Sequence, residues 1–129
     1  MSRDIISTRS APEAIGPYSQ GVRSGNMLFV SGQIGIDSQT GALATGGVEA
    51  QTDTALKNLK AIVEAGGSCM EDVLKTTCFL RDMDDFPVFN KVYERFFSTQ
   101  PPARETVAVA GLPKGALVEV SCIALVKQS

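Results

Sequence analysis

The run ALVEVSCIALV, residues 116–126, constrains this chain more than any other stretch. Side chains alternate across a strand, so Val118, Val120, Cys122, Ala124 and Val126 share one face while Leu117, Glu119, Ser121, Ile123 and Leu125 share the other. A slip of one residue would turn the whole valine set toward water, so the pattern specifies a strand with one firmly buried face. Such a face needs a layer to pack against.

Two amphipathic segments supply that layer. Val48 to Ala65 sets Thr52, Ala55, Leu56, Leu59, Ile62 and Val63 at helical spacing and stops at Gly66-Gly67. MDDFPVFNKVYERFF predicts a second helix, with Asp84 or Asp85 as cap, Pro87 tolerated in the first turn, and a stripe of Phe86, Phe89, Val92, Tyr93 and Phe96. The remaining apolar runs read as strands: DIIST, a hairpin in GVRSGNMLFVSGQIGI turning at Gly25-Asn26, and DVLKTTCFLRD. ARETVAVAG and ALVEVSCIALV, joined by a turn at LPKG, predict a closing antiparallel hairpin. The order ββ, α, β, α, ββ gives an α+β fold of about six strands with both helices on one face. At 129 residues, one domain over 1–129 is expected.

Several function classes are disfavoured. Net charge is −2 with no run of Lys or Arg, so the positive field that nucleic-acid binding needs is missing. No apolar run has the length of a signal peptide or membrane span. Cys69, Cys78 and Cys122 lack C-x-x-C spacing, which favours reduced thiols and a cytoplasmic location over disulfides or zinc. The chain has no histidine, which removes Ser-His and Cys-His nucleophiles. Chemistry falls to Arg, Glu, Tyr, backbone groups and water.

Arg104 lies between a proline pair and an alternating run, in QPPARETVAV. If Val107 and Val109 face the helices, Arg104, Thr106 and Ala108 share the opposite face, on the same side of the sheet as Glu119. That side also carries Leu117, Ile123 and Leu125, a patch costly to leave in water, so a homo-oligomer is expected to cover it. A site at such a junction would be concave and shielded. There the planar guanidinium suits a small carboxylate, with each charge-assisted bond worth roughly 1.5 to 3 kcal/mol. A structural ion pair, with Glu119 or an acid of another subunit, is the competing role.

APEAIGPYSQGV, VSGQIGID, LKTTCFLRDMDDF, FNKVYERFF, PPAR and LPKGALVEV, in this order, resemble the RidA (YjgF-type) reactive-intermediate deaminase family. The resemblance implies a chorismate-mutase-like α+β fold, a homotrimer with a ligand cleft at each subunit junction, and hydrolysis of enamines and imines such as 2-aminoacrylate to 2-keto acids and ammonia. It implies no metal or organic cofactor.

By the same resemblance, Arg104 binds the substrate carboxylate and Glu119 positions water. Tyr18, Ser31, Gly32, Asn90 and Phe86 line the pocket, with Tyr18 able to share a proton with Glu119. Thr106 stands where a cysteine is often found, and Ser121 where a second glutamate is, which removes a thiol from the pocket and leaves substrate preference open. Each assignment has a plainer reading: Tyr18 packed under the Gly16-Pro17 turn, Ser31-Gly32 a small-residue strand end, Asn90 a solvent-facing helix residue, and Phe86 core. A non-catalytic trimer that binds small carboxylates, and RNA cleavage, are the alternative functions.

Overall fold

The computed structural model describes residues 2–127; Met1, Gln128 and Ser129, the outermost positions of the expected domain, lie outside the described residues. The elements are β1 (Asp4–Ile6), β2 (Gly21–Ser24), β3 (Met27–Ile34), α1 (Gly47–Ala65), β4 (Val73–Leu80), α2 (Phe86–Phe96), β5 (Ala103–Ala108) and β6 (Val118–Leu125). They form one mixed six-stranded sheet in the order β1-β2-β3-β6-β4-β5.

The β2–β3 hairpin turns where the sequence places it, with Gly25 at φ 58°. A left-handed backbone there is open to glycine and strained for most residues. The valine face of β6 is the centre of the core: Val118, Val120 and Ala124 are fully buried against Leu56, Leu59, Ile62 and Val63 of α1 and Phe89 and Val92 of α2. Burying a Val, Leu, Ile or Phe side chain contributes about 1.5 to 3 kcal/mol, so this two-layer contact dominates stability.

Two polar residues of α1 join the buried set. Gln51 Oε1 accepts from the Leu117 amide at 2.9 Å, and Asn58 Nδ2 donates to the carbonyls of Ile36 at 2.8 Å and Ile34 at 3.3 Å. These bonds tie the helix to the end of β3 and the start of β6.

The closing hairpin is not formed. β5 pairs in parallel with β4, and β6 lies between β3 and β4, antiparallel to both. A crossover explains this: β4, α2 and β5 make a βαβ unit, which returns β5 alongside β4 at the sheet edge. The LPKG segment carries the chain back across the end of β4, where the amide of Arg81 donates to Leu117 O at 2.9 Å.

The start of α2 also differs. Asp85 has helical φ/ψ and no side-chain cap bond; Asp82 instead accepts from the Asp84 amide and caps the short 3-10 turn Met83–Asp85 that runs into the helix. Asp85 is already inside the turn, where a capping geometry is closed to it.

Candidate functional site

Register decides which way Arg104 points. Arg104 pairs with Thr76 and Thr106 with Cys78, and both β4 partners are buried under the helices. Arg104 therefore projects on the helix side, at the edge of α2. Its Nη1 donates to Asn90 Oδ1 at 2.8 Å, and its guanidinium carbon lies 4.7 Å from the Tyr93 ring centroid and 5.4 Å from that of Phe86. Tyr93 is itself fixed, its hydroxyl 2.7 Å from Thr76 Oγ1. The guanidinium thus sits on two aromatic faces and one amide oxygen, yet remains solvent-accessible and has no carboxylate partner among the described residues. Thr106 Oγ1, on the same face, is enclosed and lacks a hydrogen-bond partner.

Glu119 points the other way. Its neighbours Val118 and Val120 are buried on the helix side, and it stands level with Phe79 of β4 and Ile34 of β3. Between Val30 and Gln33 the register of β3 slips: Ser31 and Gly32 oppose the single residue Ser121, a bulge in mid-strand rather than a strand end. The bulge brings Gly32 against Glu119, where an added Cβ would lie 2.5 Å from Glu119 Oε2 and 2.7 Å from its Cδ. Close approach, not backbone conformation, demands glycine here.

An open cavity of about 450 Å³ lies over this carboxylate, with Tyr18, Ser31 and Gly32 in its wall. Tyr18 is 52% exposed, and its ring lies 3.5 Å from where a Cβ on Gly16 would stand, so it packs on the Gly16-Pro17 turn and also borders the cavity. Ser31 donates to Ser19 O at 2.5 Å. Sequence reasoning missed the contact of Tyr93 with Arg104, having placed Tyr93 only in the helix stripe, and it missed Gln20. Its buried side chain accepts from the Thr8 amide at 2.7 Å and donates to Pro12 O at 2.7 Å, which fixes the segment that forms one side of the cavity. Nothing local marks Gln20 in the sequence, because its partners lie eight to twelve residues away.

The expectation that Arg104 and Glu119 share one side of the sheet is therefore overturned. One chain carries two separate clusters: Arg104 with Asn90, Phe86 and Thr106 on the helix side, and Glu119 with Tyr18, Ser31 and Gly32 on the other. An Arg104–Glu119 ion pair within a chain is ruled out by the same geometry. The reason is that Val107, expected in the core, lies 48% exposed on the open face of an edge strand, level with Phe79. Phe29, 47% exposed and paired with Ile123, extends this apolar surface. Leu117, expected there too, packs against the core instead.

Burial raises the Glu119 carboxyl above the usual carboxylate range. It also pushes the Cys78 thiol up to about 11, the Cys122 thiol to about 12 and the Tyr93 hydroxyl to about 12, so these three stay protonated at neutral pH. The described residues contain no cluster of His, Cys, Asp and Glu suited to a metal ion. No described helix is long and apolar enough to cross a membrane.

The family model described as Endoribonuclease L-PSP matches residues 8–126. A RutC family protein of Pyrococcus horikoshii is 47% identical over 122 residues, covering 95% of this chain and 97% of its own. The 2-iminobutanoate/2-iminopropanoate deaminase of Dermatophagoides farinae is 47% identical over 123 residues, 95% of this chain and 96% of its own. Among solved structures, the E. coli YjgF gene product matches at 46% identity and TM-score 0.92, covering 96% of this chain and 99% of that one. E. coli TdcF with bound serine matches at 44% identity and TM-score 0.92, covering 98% and 99%. With the motifs, the six-stranded α+β fold and these relatives in agreement, the chain belongs to the RidA (YjgF-type) family.

Proposed function

We propose that the protein hydrolyses 2-imino acids and their enamine tautomers, such as 2-aminoacrylate, to 2-keto acids and ammonia, and that each site is completed between neighbouring copies of a homotrimer. The observation that carries this reading is the Arg104 guanidinium, held by Asn90, Tyr93 and Phe86 with no acid among the described residues to neutralise it. A cation oriented at that cost in side-chain freedom is matched to a ligand carboxylate. Bound serine in the related TdcF, a small molecule with a carboxylate, supports the same ligand class. Exposed Val107 and Phe29 and half-buried Phe79, all on the open face of the sheet, support a covering copy, which would bring one chain's Arg104 to another chain's Glu119. A cytoplasmic location suits the three free cysteines.

The chemistry needs little beyond placement and charge. Arg104 clamps the carboxylate, and water adds to the imine carbon as Glu119 takes a proton from it. Glu119 passes that proton to the imine nitrogen, giving the amino alcohol; it then takes the hydroxyl proton and delivers it to the nitrogen as the C–N bond breaks, so ammonia leaves and the carbonyl forms. Imine plus water thus gives keto acid plus ammonia. A carboxyl whose affinity for protons is raised by burial suits both halves of this cycle. Mixed charges around the two half-sites, Glu13, Glu119 and Glu94 beside Lys114 and Arg104, give a phosphodiester chain no continuous positive track.

The test couples the protein to an amino-acid oxidase that generates 2-iminopropanoate and follows imine consumption with and without Arg104→Ala. Acceleration by the wild type and its loss in the variant are expected. Carboxylate binding without acceleration would leave a non-catalytic binder in its place.

A further inference from the structure

The cavity over Glu119 is larger than a three-carbon imine requires. 2-Iminopropanoate occupies on the order of 100 Å³, three or four waters' worth at roughly 30 Å³ each. In the single chain this open cavity amounts to about 450 Å³, and a further open hollow of about 240 Å³ adjoins it, lined also by Asp37, Ser38 and Gly41. The two share a wall made by Pro12, Glu13, Ile15, Ile36 and Lys114.

That wall combines apolar Pro12, Ile15 and Ile36 with charged Glu13 and Lys114. Ile15 is 74% exposed, an aliphatic side chain offered to whatever fills the groove. It belongs to the segment that Gln20 fixes at Thr8 and Pro12, so the wall is anchored at its base. Lys114 is one of two described non-glycine residues with positive φ, at φ 58° and ψ 20°. A bulky residue is held in this sparsely populated backbone region only where its surroundings fix it. Here it places the lysine in the wall that the two hollows share, where its aliphatic stem can add apolar surface.

We propose that this extension is a side-chain subsite, and that the protein prefers 2-imino acids with extended aliphatic side chains over the three-carbon imine, with Ile15 a specificity-determining residue. The inference rests on the deaminase reading and adds the substrate class. Each methylene drawn fully from water is worth about a fourfold gain in kcat/KM, and the groove is partly open, so a six-carbon imine gains on the order of tenfold over the three-carbon one.

The experiment generates imines in situ from alanine, 2-aminobutanoate, norvaline and norleucine with an amino-acid oxidase and measures kcat/KM for each. The six-to-three-carbon ratio is expected to be on the order of ten in the wild type, to fall at least threefold in Ile15→Ala, and to be kept in Ile15→Leu. A ratio of one or below, or a ratio that Ile15→Ala leaves untouched, overturns the subsite while leaving imine hydrolysis standing. Failure to accelerate any of the four imines removes the deaminase reading and this inference with it.

Discussion

Arg104 and Glu119 project from opposite faces of one sheet: Arg104, level with Thr76, reaches over Tyr93 of α2, while Glu119, level with Phe79, presses against Gly32 on the far side. No side-chain rotation joins them within a chain. A reaction that needs both must draw them from two copies, and the apolar open face supplies a reason for copies to meet.

Gly32 leaves no room for a side chain beside Glu119. Gly32→Ala puts a methyl group 2.5 Å from a carboxylate oxygen, and the flexible Glu119 side chain must swing aside. Turnover is expected to fall tenfold or more, on the order of what displacing a general base costs. Thermal unfolding should change little, because the end of a side chain moves rather than backbone. Steady-state rates with melting curves check both.

Tyr93 orients Arg104 and is tethered by Thr76. Tyr93→Phe keeps the ring but strands the Thr76 hydroxyl, and is expected to lose about 1 to 2 kcal/mol of stability with a small change in KM. Tyr93→Leu removes the cation–π contact as well, and KM is expected to rise several-fold, in line with about 1 kcal/mol for such a contact. Denaturant titration and the KM-against-kcat split separate tether from ring.

Glu119 links activity and stability to pH with opposite signs. Its folded-state carboxyl is raised by desolvation, so the folded protein holds this proton more tightly than the unfolded chain. Its contribution to stability is therefore present at low pH and is lost as pH rises through the raised value, whereas the base form needed for water attack appears over that same rise. Glu119→Gln is expected to be more stable than wild type at neutral pH, with the gap closing toward acid, and to lose most turnover. Melting temperatures at pH 4 to 8 beside a pH–rate profile measure this.

Thr106 carries an enclosed hydroxyl with no hydrogen-bond partner. Replacing it with an isosteric apolar group removes an unpaid desolvation, so Thr106→Val is expected to keep or raise stability by up to about 1 kcal/mol. If the hydroxyl serves a bound carboxylate, the same variant raises KM about threefold to tenfold. Unchanged KM would return Thr106 to a packing role.

Much of this was legible in the sequence. The spacing of Leu56, Leu59 and Ile62 gave α1, the stripe from Phe86 to Phe96 gave α2, and the alternation from Val118 to Val126 gave the buried face of β6. Placement of β5 was not legible. Alternation separates Arg104 and Thr106 from Val107 and Val109, but it cannot say which set faces the helices when an edge strand carries apolar residues on its open side. Antiparallel pairing with β6 looked natural across the LPKG turn, yet a βαβ return fills that edge from β4. Arg104 stood out from its place between a proline pair and an alternating run, the other candidate site residues were assigned through family resemblance, and the bulge at Ser31-Gly32 and the anchoring by Gln20 exist only in three dimensions.

Complementation between two inactive chains tests the central claim most directly. Arg104→Ala lacks the carboxylate clamp and Glu119→Gln lacks the base, so each alone should be inactive. Co-expressed in equal amounts, random trimers rebuild one intact junction in each mixed assembly, and activity is expected to return to about one quarter of wild type. Mixed trimers, verified as such, that stay as inactive as either parent would contradict a site shared between copies.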